Sequence, residues 1–136
     1  MVVRVATSSE GGQADQVVGT CGGLVGGTIV LDYFFGRPAE KMSYQECIED
    51  NIKAATDAIE VAKLLYDKYV REYGTILCPH IQVQLFGRHY YFMDSGEAEK
   101  SEEAGGHSAR DKCSHIVGTA ARWTMEILLD NGAVHI

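Results

Sequence analysis

The sequence lacks the short-range patterns by which cysteine sites are usually recognised. Its four cysteines stand far apart and form no C-x-x-C pair, at positions 21, 47, 78 and 113. Zinc ribbons and thioredoxin-type motifs require such pairs, so both are excluded. Any site that uses more than one of these thiols must therefore be assembled by the fold.

Clusters of basic residues are also absent. The chain has 12 lysines and arginines against 19 aspartates and glutamates, which gives a formal net charge of −7. An acidic surface repels the phosphates of nucleic acids, so we expect no nucleic-acid partner. A glycine-rich phosphate loop is also excluded, because no G-x-x-x-x-G-K-[ST] motif occurs.

No hydrophobic run is long enough to span a bilayer. The longest covers residues 24–35 and is interrupted by Asp32, whereas a transmembrane helix needs about 20 apolar residues. The start of the chain lacks the basic segment and apolar core of a signal peptide. We therefore expect a cytoplasmic protein, in which an even cysteine count does not by itself indicate disulfides.

The residues that are present have the balance of a globular chain, with 46% hydrophobic and 23% charged. A chain of 136 residues predicts a single domain over residues 1–136. Helical signals predominate, so we predict an all-α fold, a compact bundle of about four helices. The predicted helices cover residues 22–35, a long stretch from Pro38 or Glu40 to Tyr73, residues 78–86, and a last stretch from Ser108 to Asn131.

The long helix has the clearest amphipathic pattern. Charged residues populate one face, and apolar residues recur in steps of three and four on the other, at Ile48, Ile52, Ala55, Ile59, Ala62, Tyr66, Tyr69 and Tyr73. Such a stripe needs a partner that covers it, and we expect a homodimer.

Three cysteines fall near predicted helix starts. Cys21 precedes the first helix, Cys78 stands at or near the N-cap of the short helix, and Cys113 lies in the first turns of the last one. Free N–H groups and the helix dipole stabilise a thiolate at such positions and lower the cysteine pKa. These three are the candidate redox thiols, and the alternative is that they are small buried side chains. Cys47 lies inside the long helix, one position away from the apolar stripe.

Four glycines follow Cys21 within six residues: Gly22, Gly23, Gly26 and Gly27. Each costs about 1 kcal/mol inside a helix relative to alanine. Their i, i+4 spacing predicts a strip without side chains on one helix face. We expect this strip to allow a neighbouring helix or a bulky inorganic cofactor to approach closely beside Cys21.

The segment Cys21-Gly22-Gly23-Leu24-Val25-Gly26 resembles the C-G-A-x-x-G motif of a family of redox-active proteins named for a C…CGAxxG…C…C pattern. The resemblance covers residues 4–131 and continues through Gly36-Arg37, Tyr73-Gly74, Leu77-Cys78, Cys113-Ser114 and Ala120-Ala121-Arg122-Trp123. It implies a small α-helical, redox-active protein of prokaryotes, often encoded near transporter genes.

By position, the resemblance assigns the last three family cysteines to Cys21, Cys78 and Cys113. The alanine of the motif is Gly23 here. The first family cysteine has no counterpart in residues 1–20, and we expect the chain to begin after the helix that carries it.

Three uses of the thiols remain open. The first is an iron–sulfur cluster or another thiolate-bound metal, held by the three candidate thiols for electron transfer or redox sensing. Its remaining ligand position would be filled by Cys47, His80, His115, solvent or a partner. The second is thiol–disulfide exchange between two of the thiols, with a redox partner protein and no cofactor. The third is a non-catalytic helical dimerisation or interaction module, in which the cysteines are structural.

Overall fold

The structure, a computed structural model, describes residues 5–39 and 48–135. This part of the chain contains five α-helices and no strand, which confirms the predicted all-α fold. The helices are α1 (Gly22–Phe35), α2 (Ile48–Tyr73), α3 (Cys78–Phe86), α4 (Ser95–Glu103) and α5 (Cys113–Asp130), and a 3-10 turn (Thr7–Ser9) precedes them.

Helix α1 has the predicted bounds. Its buried positions, Leu24, Gly27 and Leu31, follow one another in steps of three and four, so they share one face. The helix ends where the N–H of Gly36 donates to the carbonyl of Asp32 at 2.8 Å. Pro38 follows two residues later, where its fixed φ and missing N–H prevent continuation.

Helices α1, α2 and α5 pack against one another and enclose the core. Leu31 of α1, Leu65 of α2 and Ile127 of α5 are each at most 2% exposed. The rings of Tyr69 and Trp123 meet edge to face with their centroids 5.8 Å apart. Burying a large apolar side chain contributes about 1.5–3 kcal/mol, so this three-helix contact is the main source of stability.

The predicted apolar stripe of α2 is only partly correct. Tyr69 and Tyr73 lie in or against the core, as predicted. Ile52, Ile59 and Tyr66, however, are 61%, 67% and 44% exposed. Pro38, one of the two predicted start points of this helix, is not helical. The other, Glu40, and Cys47 lie within residues 40–47, outside the described residues.

A second series of α2 residues forms the core face instead. Ala58 and Leu65 are buried, and Val61 packs against the core cluster to which Leu65 belongs. This series also advances in steps of three and four and also leads to Tyr69, so the helix has two overlapping apolar stripes. The stripe nearest the axis of the bundle is covered, and the other borders a groove between α1 and α2.

Helix α5 begins later than predicted. The start predicted at Ser108 rests on the capping-box spacing of Ser108 and Asp111, but the helix starts at Cys113, and the preceding residue is Lys112. The chain between α4 and α5 forms turns: Gly105 has a φ of 84°, and its carbonyl accepts from the N–H of Ala109 at 2.9 Å. Cys113 therefore stands at the helix N-terminus rather than one or two turns inside it.

Backbone hydrogen bonds join the starts of α1 and α3. The N–H of Cys21 donates to the carbonyl of Ile76 at 2.8 Å, and the N–H of Cys78 donates to the carbonyl of Gly19 at 2.9 Å. These bonds flank an isolated antiparallel bridge. Across the described helices, none combines the length and the apolar character that crossing a membrane requires.

Candidate functional site

The three candidate thiols stand at three helix N-termini. Cys21 is the N-cap of α1, Cys78 is the first residue of α3, and Cys113 is the first residue of α5. Desolvation is the largest cause of the raised pKa of Cys78 and of Cys113; the charge of Cys21 adds to the first, and the charges of Cys78 and Cys21 add to the second. The fold thus gathers residues separated by 57 and 35 positions into one thiol cluster, and all three are free thiols.

The sulfur of Cys21 is paired with a buried tyrosine. Its Sγ lies 3.8 Å from the hydroxyl oxygen of Tyr69, across 48 residues of sequence. Cys21 is 9% exposed and Tyr69 is fully buried. The Cys21 side chain makes no hydrogen bond to its own helix, so this sulfur is directed at the tyrosine rather than at the amides of α1.

Cys78 has a different polar neighbour. The side-chain amide of Gln82, one turn along α3, donates to Cys78 Sγ at 3.4 Å. Gln82 is 1% exposed, and its carbonyl oxygen accepts from the backbone N–H of Tyr90 at 2.9 Å. Both ends of the amide are therefore engaged, which fixes its NH₂ group toward the sulfur.

The loop before α1 folds over Cys78. A Cβ on Gly12 would lie 2.6 Å from the Cβ of Cys78, and Gly12 has a φ of 69°, so both space and backbone require glycine there. Four non-glycine residues of the same loop also have positive φ: Gln13, Ala14, Asp15 and Val17. Such conformations cost about 1–3 kcal/mol each and persist only where the surroundings fix them.

Burial reverses the acidity predicted for the helix-start cysteines. Desolvation, followed by the charges of Cys78 and Cys21, raises the pKa of Cys113 to about 11. Desolvation also raises the pKa of Cys78, and the hydrogen bond from Gln82 opposes this only in part. The expected lowering by the helix dipole is therefore wrong for these two thiols, because loss of water outweighs the partial charge of a helix end.

The Tyr69 hydroxyl keeps its proton. Desolvation is the largest cause of its raised pKa, and the charge and hydrogen bond of Cys21 add to it. A phenol that stays protonated can donate to a cysteine thiolate. Tyr69 is thus placed to stabilise negative charge on the Cys21 sulfur.

Three of the four glycines after Cys21 lie against neighbouring atoms. A Cβ on Gly22 would meet the Ser9 carbonyl oxygen at 2.9 Å, one on Gly23 would meet the Tyr69 hydroxyl at 2.6 Å, and one on Gly27 would meet Leu65 and Thr124 at 2.6 Å. Gly26 differs, since a Cβ there would find no atom of the described chain within 4 Å. The glycines therefore let side chains of α2 and α5, and the backbone of the turn before α1, approach helix α1 closely.

The candidate metal ligands that the structure describes are Cys21, Cys78, Cys113, His80 and His115. Within residues 5–39 and 48–135, no group of three or more His, Cys, Asp and Glu side chains is placed to hold a metal ion. His80 and His115 are exposed, and His80 Nδ1 lies 3.3 Å from the hydroxyl of Thr75. Cys47, the remaining ligand candidate, lies outside the described residues.

Three residues of the site were not predicted as such. Tyr69 was assigned only to a core stripe, and Gln82 and Gly12 were not singled out. Tyr69 and Gly12 contact cysteines that are distant in the sequence, and neither periodicity nor spacing predicts such contacts. The one available signal was Gln82 itself, a polar residue four positions after Cys78 and therefore on the same helix face.

Residues 1–127 match the model of the family described as "Putative redox-active protein (C_GCAxxG_C_C)". Comparison with curated proteins and with solved structures gives no match. The family pattern contains four cysteines. Its central motif is written with a glycine before the cysteine, where this chain has Thr20 and its glycines follow.

Proposed function

This chain belongs to the redox-active family of the four-cysteine pattern, and from that premise we propose that it is a thiol–disulfide redox protein. Its working groups are Cys21, Cys78 and Cys113. The observation that supports this best is the pair of backbone hydrogen bonds that joins the segments of Cys21 and Cys78. Cys113 begins a third helix, and the charges of Cys78 and Cys21 contribute to its raised pKa after desolvation.

The chemistry is a two-step exchange with a disulfide carried by a partner protein. One cluster thiolate attacks a partner sulfur, the partner S–S bond breaks, and a mixed disulfide forms as the other partner sulfur leaves. A second cluster thiolate then attacks the mixed disulfide, closes an internal S–S bond and releases the partner's second sulfur. The cluster loses two electrons and two protons, and the partner gains both as two thiols.

Cys78 is the shared member of the internal disulfide. Its charge acts on Cys113 more strongly than that of Cys21 does, and backbone hydrogen bonds tie its segment to that of Cys21. We therefore assign Cys21 and Cys113 as its alternative partners. A free-thiol state suits a reducing compartment, so we place the protein in the cytoplasm.

Thiol counting tests this function. Protein equilibrated with oxidised glutathione should carry two fewer free thiols than fully reduced protein, and peptide mapping should find Cys78 in the new disulfide. Cys78→Ser should abolish the loss, whereas Cys21→Ser and Cys113→Ser should each leave one pair. Cys47→Ser serves as the matched control and should behave as wild type. Equal thiol counts under both conditions would refute the function.

Metal binding is the second candidate. A cation would favour the thiolate forms of Cys78 and Cys113, whose pKa values burial raises, because it binds the thiolate and displaces the proton. The described residues alone do not form the ligand set, so an iron–sulfur cluster or other metal would need Cys47 or a partner group. Iron, zinc and sulfide analysis of protein prepared without oxygen decides it. Stoichiometric metal lost in Cys78→Ser would support this candidate, and metal-free protein would exclude it.

A homodimer is the assembly we propose. Ile52, Ile59 and Tyr66 lie seven residues apart on one side of α2 and are exposed, and such a repeat is typical of helix–helix seams. Ile59 and Tyr66 line a groove of about 370 Å³ between α1 and α2, together with residues that include Leu24 and Ile29. Light scattering should show a dimer that Ile59→Glu dissociates, whereas a monomeric wild type would contradict it.

A further inference from the structure

We propose that Tyr69 is a positioning residue for Cys21, and that Gly23 is the residue whose missing side chain makes room for the Tyr69 hydroxyl. This inference rests on the proposed function, since it assigns a role inside the same thiol cluster. It adds a residue from α2 to a site otherwise built from the N-termini of α1, α3 and α5.

The contact is specific in its atoms. Tyr69 is fully buried, and the hydroxyl at the end of its ring reaches the Cys21 sulfur at 3.8 Å. The ring itself is held edge to face by Tyr73 and Trp123, at centroid distances of 5.3 and 5.8 Å. Because the Tyr69 ring is packed on two sides, its hydroxyl is fixed in position beside the Cys21 sulfur.

Gly23 is the structural condition for this location. A Cβ at position 23 would lie 2.6 Å from the Tyr69 hydroxyl oxygen and 3.4 Å from the Cβ of Ala120. Real Cβ atoms do not approach a hydroxyl so closely, and the enclosed ring cannot retreat. An alanine at this position would therefore displace the hydroxyl from the Cys21 sulfur.

The hydroxyl has a defined effect on reactivity. As a protonated donor, it stabilises negative charge on the sulfur and fixes the sulfur among the other thiols. Removing the oxygen should therefore slow reactions in which Cys21 acts as a nucleophile. If Tyr69 only filled space, removing its hydroxyl would loosen the core, expose the Cys21 thiol and raise its reaction rate.

Residue-resolved alkylation separates these two roles. Reduced full-length protein is treated with iodoacetamide at one fixed pH, and the labelling rate of each cysteine is followed by peptide mass spectrometry. Tyr69→Phe should slow the labelling of Cys21 about fivefold, the typical weight of one hydrogen bond. Tyr73→Phe removes a hydroxyl from the same aromatic cluster and should leave the rate unchanged. Labelling of Cys21 that is as fast as or faster than wild type in Tyr69→Phe would overturn the inference.

A double variant tests the part assigned to Gly23. Gly23→Ala should slow Cys21 labelling to the level of Tyr69→Phe, and the combined variant should be no slower than either. Independent, multiplied effects would show that Gly23 acts elsewhere and would overturn that part. Gly26→Ala, one turn along the same helix, is the matched control and should label as wild type does.

These rates do not depend on disulfide formation. If oxidation forms no internal disulfide while Tyr69→Phe still slows Cys21, the proposed function fails and the positioning role stands. If the disulfide forms and the rate is unaffected, the function stands and the positioning role fails.

Discussion

Replacing each of two neighbouring glycines in α1 by alanine tests how closely this helix packs against α2 and α5. Gly26 and Gly27 share the same helix interior, so replacing either by alanine removes the same helix penalty, about 0.5–1 kcal/mol. Their surroundings differ. A Cβ on Gly26 would meet nothing within 4 Å in the described chain, whereas one on Gly27 would lie 2.6 Å from both Leu65 Cδ2 and Thr124 Oγ1.

Neither neighbour of Gly27 can easily move away. Leu65 is fully buried, and the Thr124 hydroxyl donates to the carbonyl of Ala120 at 2.8 Å. Overpacking of this kind costs about 1–3 kcal/mol. Gly26→Ala should therefore raise the free energy of unfolding by about 0.5–1 kcal/mol, and Gly27→Ala should lower it by about 1–2 kcal/mol after the helix gain is subtracted.

Urea denaturation followed by circular dichroism measures both changes. The denaturation midpoints should move in opposite directions with unchanged m-values, since the surface exposed on unfolding stays the same. Equal stabilisation of both variants would show that α1 does not pack closely against α2 and α5 at Gly27.

Three further predictions follow from burial and backbone geometry. The pKa of Cys113 is raised from 9.0 to about 11 in the folded state, so the folded protein binds this proton more tightly than the unfolded chain does. The free energy of unfolding should therefore fall as the pH rises from 9 to 11. Denaturation measured across this pH range should show a smaller fall in Cys113→Ser, and an identical profile would contradict the burial of the thiol. Gly12→Ala should lift the loop from Cys78 and speed its alkylation, since φ and space both disfavour a side chain there; an unchanged rate would show that the loop does not shield the thiol. Leu31→Ala should cost about 2–5 kcal/mol, while Tyr33→Ala, 61% exposed on the same helix, should change stability by less than about 0.5 kcal/mol, and similar losses in both would contradict the orientation of α1.

Local signals predicted most of the helices. Gly36 and Pro38 determine the end of α1, and Gly87, with a φ of 75°, ends α3 as expected for a left-handed C-cap. The start of α5 was misplaced because Ser108 and Asp111 have the spacing of a capping box but lie in a turn region after Gly105. A cap motif indicates a helix start only where the following backbone is free to become helical.

The core face of α2 could not be chosen from the sequence. Two stripes fit the helical period equally well, one through Ile59 and Tyr66 and one through Ala58 and Leu65. Which of them is covered depends on where α1 and α5 lie, and that is a property of the whole fold. Periodicity identifies an apolar face only when the helix has a single one.

The positions of Cys21, Cys78 and Cys113 at helix starts were predicted, but the environment of these cysteines was not. A position at a helix N-terminus is visible in the sequence, whereas desolvation, which raises the pKa of Cys78 and Cys113, depends on which other segments cover the site. The partnership of Cys21 with Tyr69 spans 48 residues and leaves no local pattern. The sequence therefore predicts candidate groups, and the fold determines their acidity and their partners.

The most direct test of the central claim is a redox titration of the free thiols in glutathione buffers, with peptide mapping at each step. We expect a single transition that removes two free thiols and joins Cys78 to Cys21 or Cys113, and no such transition in Cys78→Ser. Four free thiols throughout the titration, or a disulfide that excludes Cys78, would contradict it.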